Sequence, residues 1–259
     1  MAIPSLSVLR KRFSKRVPAI AAGALLFMPP IHAQKSTNEA AIQKIDASVA
    51  GRDQNLLAYT VTELYRVYRG ADHTHPAAQM TVKTTYQKDT GKSYVILSQS
   101  GSELILKEVL GRVLDSERLM TQPANRPQAL LTTANYYMTV KSDEVVDGRT
   151  CNVVAIVPKK SSPYLFRGTI WVDAQDGSIV KLEGMASKAA SVLAGATQVS
   201  RQYANIQGLP MATHASAVAG SWLLGQTTVD IDYSGYRITL RNGPASPQIA
   251  GPAGAKSVR

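Results

Sequence analysis

Hydrophobic and polar residues alternate along several stretches of the chain, most clearly over residues 59–68. A period of two is typical of β-strands with one buried face. Glu63 breaks this pattern, because it falls on the apolar side of the strand between Val61 and Tyr65. We interpret it as paired with an arginine, as lying at the mouth of a cavity, or as displaced by a bulge.

The same alternation recurs between turn-forming residues and predicts about ten antiparallel strands. Residues 88–91 and the Asp147–Gly148 pair are typical of hairpin turns. The strands are predicted over residues 59–68, 79–87, 92–99, 136–145, 150–158, 165–172, 178–184, 199–206, 212–219 and 227–237.

Two segments have helical spacing instead. Residues 37–50 follow a capping box that begins at Ser36, and Gly51 is placed to end that helix. Residues 102–118 repeat their apolar positions every three and four residues, and Pro127 can open a short turn over 128–133. The order predicts a mainly β fold with helices (α+β). We expect a curved antiparallel sheet or unclosed β-barrel covered by a helical lid.

The N-terminus is typical of a secretory signal peptide. A basic block at residues 10–16 precedes an uncharged run over 17–28, and Ala33 closes a small-residue exit. The run is shorter than the ~20 residues that span a bilayer, although a retained anchor is the alternative. We predict cleavage after Ala33, a periplasmic location, a half-barrel domain over 34–242 and a disordered tail over 243–259.

Removing that segment changes the charge of the protein. The segment holds five basic residues and no acid, so its loss lowers the formal charge from +11 to +6. Nucleic acid is therefore not expected as a partner. The single cysteine, Cys151, lies within a predicted strand and is expected to be buried and inert.

Candidate catalytic and metal-binding residues are sparse. No Gly-x-Ser-x-Gly motif is present, and the His73-Thr74-His75 segment beside Asp72 has no further ligand nearby in sequence. The acidic pairs at 143–144 and 230–232 suit acid–base work but equally suit a solvated strand face. We expect no enzyme activity, no cofactor and no metal.

Apolar and tyrosine side chains on the predicted strands are our candidates for a concave ligand-binding face. Most of them also fit an ordinary core beneath the helices, but a curved sheet under a lid can enclose an apolar cavity. These residues are Tyr59, Val61, Tyr65, Val67, Val95, Phe166, Ile170, Val172, Val229, Ile231 and Tyr233.

Residues 148–184 carry a familiar run, with GRTCNVVAIVPK followed by RGTIWVD and then by DGSIVKLEG. This run, with the strand–helix order over 36–240, resembles the LolA-like superfamily of periplasmic lipoprotein-sorting proteins and sigma-factor regulators. The resemblance implies an unclosed barrel with a helical lid, and acyl chains of a lipid or lipoprotein between the two layers.

Three functional hypotheses follow. The first is an exported carrier or chaperone that binds a lipid or an acylated lipoprotein and makes transient contact with a membrane. The second is an envelope sensor or scaffold of the same fold that binds a protein partner. The third, a hydrolase, has the least support because no catalytic constellation assembles.

Overall fold

Ten β-strands form one antiparallel sheet in the computed structural model, which describes residues 31–188, 194–221 and 225–241. The strands are β1 Leu56–Arg69, β2 Ala78–Gln87, β3 Gly91–Gly101, β4 Tyr136–Val146, β5 Arg149–Pro158, β6 Phe166–Asp173, β7 Ile179–Ala186, β8 Ala194–Ile206, β9 Leu209–Ser221 and β10 Gly225–Leu240. The predicted signal peptide and tail fall largely outside these residues.

The strand order explains why the sheet stays open. It runs β3-β2-β1-β10-β9-β8-β7-β6-β5-β4, so the first strand pairs with the last. The strands at the two edges, β3 and β4, do not pair with each other. The predicted unclosed antiparallel sheet is confirmed.

Turn residues set the hairpins as the sequence predicts. Gly91 begins β3 with a φ of 84°, and Asp147 and Gly148 have φ values of 49° and 76°. Positive φ at both central residues defines a type I′ turn, whose twist matches that of the flanking strands.

The first helix, α1, extends over Ile31–Asn55 and is longer than predicted at both ends. Ser36 therefore lies inside the helix, and Gly51 does not end it. The helix stops where the chain joins the sheet, because β1 begins at Leu56 and the Arg241 amide donates to the Asn55 carbonyl at 2.8 Å. No helix in the described part of the chain is long and apolar enough to cross a membrane.

The second helix begins at the predicted residue. Ser102 is its N-cap, and three consecutive helical pieces follow: α2 (Glu103–Ile105), a π-helical turn (Leu106–Gly111) and α3 (Arg112–Thr121). A short helix, α4 (Arg126–Ala129), replaces the turn predicted over 128–133. It starts earlier because the fixed φ of proline suits the first turn of a helix.

Both helical layers cover the same face of the sheet. Ile105, Leu110 and Leu114 of the second helix pack on β1, β2 and β10, whereas Ile45 of α1 packs on β5, β6 and β7. A third cluster, around Leu56 and Met211, lies where α1 meets β1. The space between these clusters is where the candidate site lies.

Candidate functional site

The first cavity lies between the sheet and the ends of the helices and has a volume of about 290 Å³. Its floor comes from β1, β2 and β6 to β10, and α3, α4 and the segment that follows α4 cover it. Ligand cavities in proteins have volumes from about 300 Å³ upward, so this cavity is near the lower end of that range. Apolar members of the lining include Leu56, Val113, Phe166, Leu182, Val199, Ala217 and Ile231.

A second cavity of about 220 Å³ adjoins the first. Arg52, Glu117 and Arg201 line both cavities, as do Tyr59 and Tyr203. The second cavity adds the polar side chains of Lys92, Tyr233 and Tyr236 beside apolar ones such as Val49, Ile179 and Met211. The two cavities therefore meet at a charged, tyrosine-rich junction, with the more apolar chamber on one side.

Buried charges join the sheet to the second helix beside this junction. The Lys92 ammonium donates to Glu117 and lies 3.4 Å from Glu63 Oε1. Arg201 Nη2 lies 3.5 Å from Glu117 Oε1, and the Tyr65 hydroxyl donates to Glu63 Oε2 at 2.5 Å. The side chains of Lys92 and Glu63 are only 9% and 1% exposed. We call Glu63, Lys92, Glu117 and Arg201 the interior ion cluster.

Opposite charges in the cluster keep Lys92 and Glu117 charged despite their burial. Burial alone would lower the pKa of Lys92, but Glu117, Tyr59 and Glu63 outweigh it and raise that pKa well above its ordinary value. Burial would raise the pKa of Glu117, yet Lys92 and Arg201 hold it below its ordinary value. Paired opposite charges are what make buried ionised groups tolerable.

A second set of charges closes the rim where α1, β2 and α4 meet. Arg126 Nε lies 3.1 Å from Asp53 Oδ1, and the same guanidinium donates to the Tyr86 hydroxyl at 2.9 Å. Lys88 lies 4.0 Å from Asp53 and donates to its backbone carbonyl. These contacts fix α4 against the end of α1 at the edge of the first cavity.

Ten of the eleven predicted concave-face residues are buried or line a cavity, and they separate into three groups. Tyr59, Phe166, Ile231 and Tyr233 line one or both cavities. Val61 is buried at 2% exposure but lines neither cavity. The remaining inward residues lie in the cores beneath the two helical layers: Tyr65, Val67, Val229, Ile170 and Val172.

Val95 does not belong to the concave face. It is 63% exposed, and its neighbour Tyr94 is the residue that packs against the second helix. The inward placement of Val95 was wrong because neighbouring residues in a strand face opposite sides, so an error of one position inverts the face.

Glu63 has the inward position that its strand pattern predicts. It is buried at 0% exposure, but its cationic partner is Lys92 rather than an arginine. Sequence reasoning missed Lys92, Arg201 and Glu117. The signal was present for Glu117 and Arg201, since each is a charged residue on the apolar face of a predicted helix or strand. It was absent for Lys92, because the predicted inward placement of Val95 puts Lys92 on the opposite face of the strand.

The other chemical candidates lie away from the cavities. Asp143 accepts a hydrogen bond from Asn152, and Glu144 accepts one from the Trp171 indole. Asp232 lies 2.6 Å from Arg66 and 2.8 Å from His214. Cys151 is buried as predicted, and burial raises the pKa of its thiol.

The His73–His75 segment is an exposed loop capped by Asp72, which accepts bonds from Thr74 and His75. Those backbone bonds from Thr74 and His75 hold the pKa of Asp72 below its ordinary range. Among the described residues, no group of three or more histidines, cysteines or acids is arranged to hold a metal.

Comparison with known proteins gives structural matches only. No family model and no curated protein matches the chain. It is similar to a LolA superfamily protein from Nitrosomonas europaea at 16% identity and a TM-score of 0.43, covering 80% of this chain and 94% of that one. It is also similar to an outer-membrane lipoprotein-sorting protein domain from Vibrio parahaemolyticus, at 13% identity and a TM-score of 0.44. That match covers 81% of this chain and 94% of the other.

The MucA/MucB complex of Pseudomonas aeruginosa matches at 12% identity and a TM-score of 0.26, covering 75% of this chain and 93% of that chain. All three TM-scores lie below 0.5 and all three identities below 25%, so no family is assigned to this chain from them. The resemblance of residues 148–184 to the LolA-like superfamily stays a prediction.

Proposed function

We propose that this protein is an exported binding protein that holds an acyl chain, from a lipid or a lipoprotein, between its sheet and its helices. The observation that carries this proposal is the apolar cavity of about 290 Å³ beneath α3 and α4. A methylene group occupies roughly the ~30 Å³ of a water molecule, so the cavity has room for about ten such groups.

Burial of the chain supplies the binding energy. Each methylene removed from water contributes about 0.8 kcal/mol, so ten contribute about 8 kcal/mol before the cost of ordering the chain. The protein acts here by binding, without a catalytic step. Export, with cleavage after Ala33, belongs to the same proposal and is checked by N-terminal sequencing of the secreted protein.

The second helix is the part of the lid that must move. Its π-helical turn, Leu106–Gly111, interrupts the regular hydrogen-bond ladder between α2 and α3. Single π turns within helices are frequent at functional sites, and they mark places where helices bend. Displacement of α3 about this turn would open the first cavity, because Val113, Glu117 and Met120 of α3 line it.

Native mass spectrometry of the purified protein, followed by organic extraction, tests the proposal directly. We expect a bound mass that extracts as a lipid or an acylated peptide. A matched pair of variants locates the site. Ala217→Trp places an indole in the first cavity, whereas the next residue, Val218, faces the other side of β9.

We expect Ala217→Trp to abolish uptake of a fluorescent fatty-acid probe and Val218→Trp to retain it. Thermal unfolding of both variants separates a filled cavity from a misfolded protein. Equal uptake by both folded variants, or no uptake by the unmodified protein after delipidation, would contradict the proposal.

A second candidate function, binding of an extended segment of a protein partner, is favoured by β3. This strand is at an edge of the sheet, and Val95, Ile96 and Leu97 are 63%, 50% and 56% exposed. Exposed apolar edges are natural sites for strand addition. Lys substitution at Val95 and Leu97 would abolish partner capture but leave uptake of the fatty-acid probe unchanged.

A further inference from the structure

We infer that the two cavities together take a single-chain amphiphile with one anionic head group. The head lies at the charged junction and the chain in the first cavity. This inference rests on the proposed function and specifies the class of ligand. Three observations support it: the division between the cavities, the charge balance at their junction and the unused donors of Arg52.

The division between the cavities places polar groups between apolar walls, as an amphiphile requires. Val113, Phe166, Leu182 and Val199 line the first cavity and not the second. The second cavity has apolar members of its own, including Val49, Ile179 and Met211, beside Lys92, Tyr233 and Tyr236. The charged side chains that both cavities share would lie where the head group of an amphiphile meets its chain.

The charges at the junction leave one positive charge in excess. The interior ion cluster is neutral, because Lys92 and Arg201 balance Glu63 and Glu117. Arg52 adds a further cation that lines both cavities. Within the described ranges, no carboxylate oxygen lies within 4.0 Å of its guanidinium, since the neighbouring Asp53 pairs with Arg126 and Lys88.

Arg52 keeps donors available for a ligand. Its Nε donates to the Pro210 carbonyl at 3.1 Å, and its Nη2 approaches Met211 Sδ at 3.7 Å. Neither partner carries a charge, and a guanidinium has five N–H donors in a planar fork. That fork matches the two oxygens of a carboxylate or phosphate head, for which arginine is the preferred side chain.

The head-group preference of the full-length protein is the first test. Tridecanoate, dodecyl phosphate, dodecanol and dodecyltrimethylammonium share one dodecyl chain and differ only in the head. We expect both anions to displace an uncharged fluorescent probe more tightly than dodecanol, and the cation to be weakest. The stronger of the two anions identifies the head as carboxylate or phosphate.

Variants at Arg52 provide the second test. Arg52→Gln should lower the affinity for the preferred anion by roughly ten- to a hundredfold, as expected for the loss of a hydrogen bond to a charged group. The affinity for dodecanol should change by less than about twofold. Arg52→Lys should keep the preference for anions. Arg237→Gln, at an exposed position on β10, is the control and should leave the affinity for both ligands unchanged.

The outcomes separate this inference from the proposed function. If dodecanol binds as tightly as both anions, the inference is overturned and the acyl-binding function stands. If none of the four ligands binds, the proposed function falls as well. If Arg52→Gln fails to fold, the order in which the unmodified protein binds the four ligands still tests the inference.

Discussion

Replacement of Lys92 by methionine is the most informative single perturbation of the interior ion cluster. Methionine is apolar and of similar length, so the change removes a charge with little loss of volume. It leaves Glu63 and Glu117, whose side chains are 1% and 10% exposed, without their shared ammonium. Among the cations that the structure describes, Arg201, 3.5 Å away, would be the one that still pairs with Glu117.

Removing one partner of a buried ion pair costs about 3–5 kcal/mol, because the remaining charge stays buried and unpaired. This is a large part of the roughly 5–15 kcal/mol by which folded proteins are stable. At a slope of about 2–3 kcal/mol per molar urea, the unfolding midpoint should fall by roughly 1–2 M.

Equilibrium urea unfolding, followed by circular dichroism, measures this shift. Lys83→Met is the matched control, since Lys83 lies exposed on β2, and its effect should be within about 0.5 kcal/mol. A double variant, Lys92→Met with Glu63→Gln, should recover part of the loss, because it also removes one of the stranded carboxylates.

The pH dependence of the Lys92→Met effect has a definite sign. The folded protein holds the pKa of Glu117 below its ordinary 4.5, so the stability from this group is full above that value and is lost as the pH falls through the folded pKa. The difference in free energy of unfolding between Lys92→Met and the unmodified protein should therefore become smaller in acid. A gap below about 1 kcal/mol at neutral pH would refute the reasoning, because a buried pair costs more than that to break.

Two further substitutions test the fold that positions the cavities. Gly168→Ala should lower the melting temperature far more than Gly220→Ala. A Cβ at 168 would clash with the Glu183 carbonyl oxygen, whereas no atom of the described residues lies within 4 Å of a Cβ at 220. Ser102→Ala removes the N-cap of the second helix and should cost about 0.5–1 kcal/mol in urea unfolding, with faster hydrogen exchange at the start of α2.

Local sequence signals were sufficient for the strands and the hairpins. Asp147–Gly148 and Gly91 have backbone conformations that only a few residue types adopt readily, so the turns could be placed to the residue. The boundaries of α1 could not be predicted in this way. Its end is set by the pairing of Leu56 with Leu240, a contact between distant parts of the chain.

The candidate site was harder to predict because its polar members come from separate elements. Lys92, Glu117 and Arg201 lie on β3, α3 and β8, and only the order of the strands brings them together. Glu117 and Arg201 each lie in an apolar stripe, and together with Glu63 they indicate a buried ionic contact. Lys92 could not be added to that set, because an error of one position in the face of its strand placed Val95 inward instead.

The interior ion cluster explains how the lid can be held closed and still be able to open. Glu117 is its only member on a helix, whereas Glu63, Lys92 and Arg201 are fixed on the sheet. Movement of α3 away from the sheet would carry Glu117 into water, where a carboxylate is well solvated, and would leave Lys92 beside Glu63. The closed lid is thus held by a directional ionic contact, while opening strands no carboxylate without a cation or water.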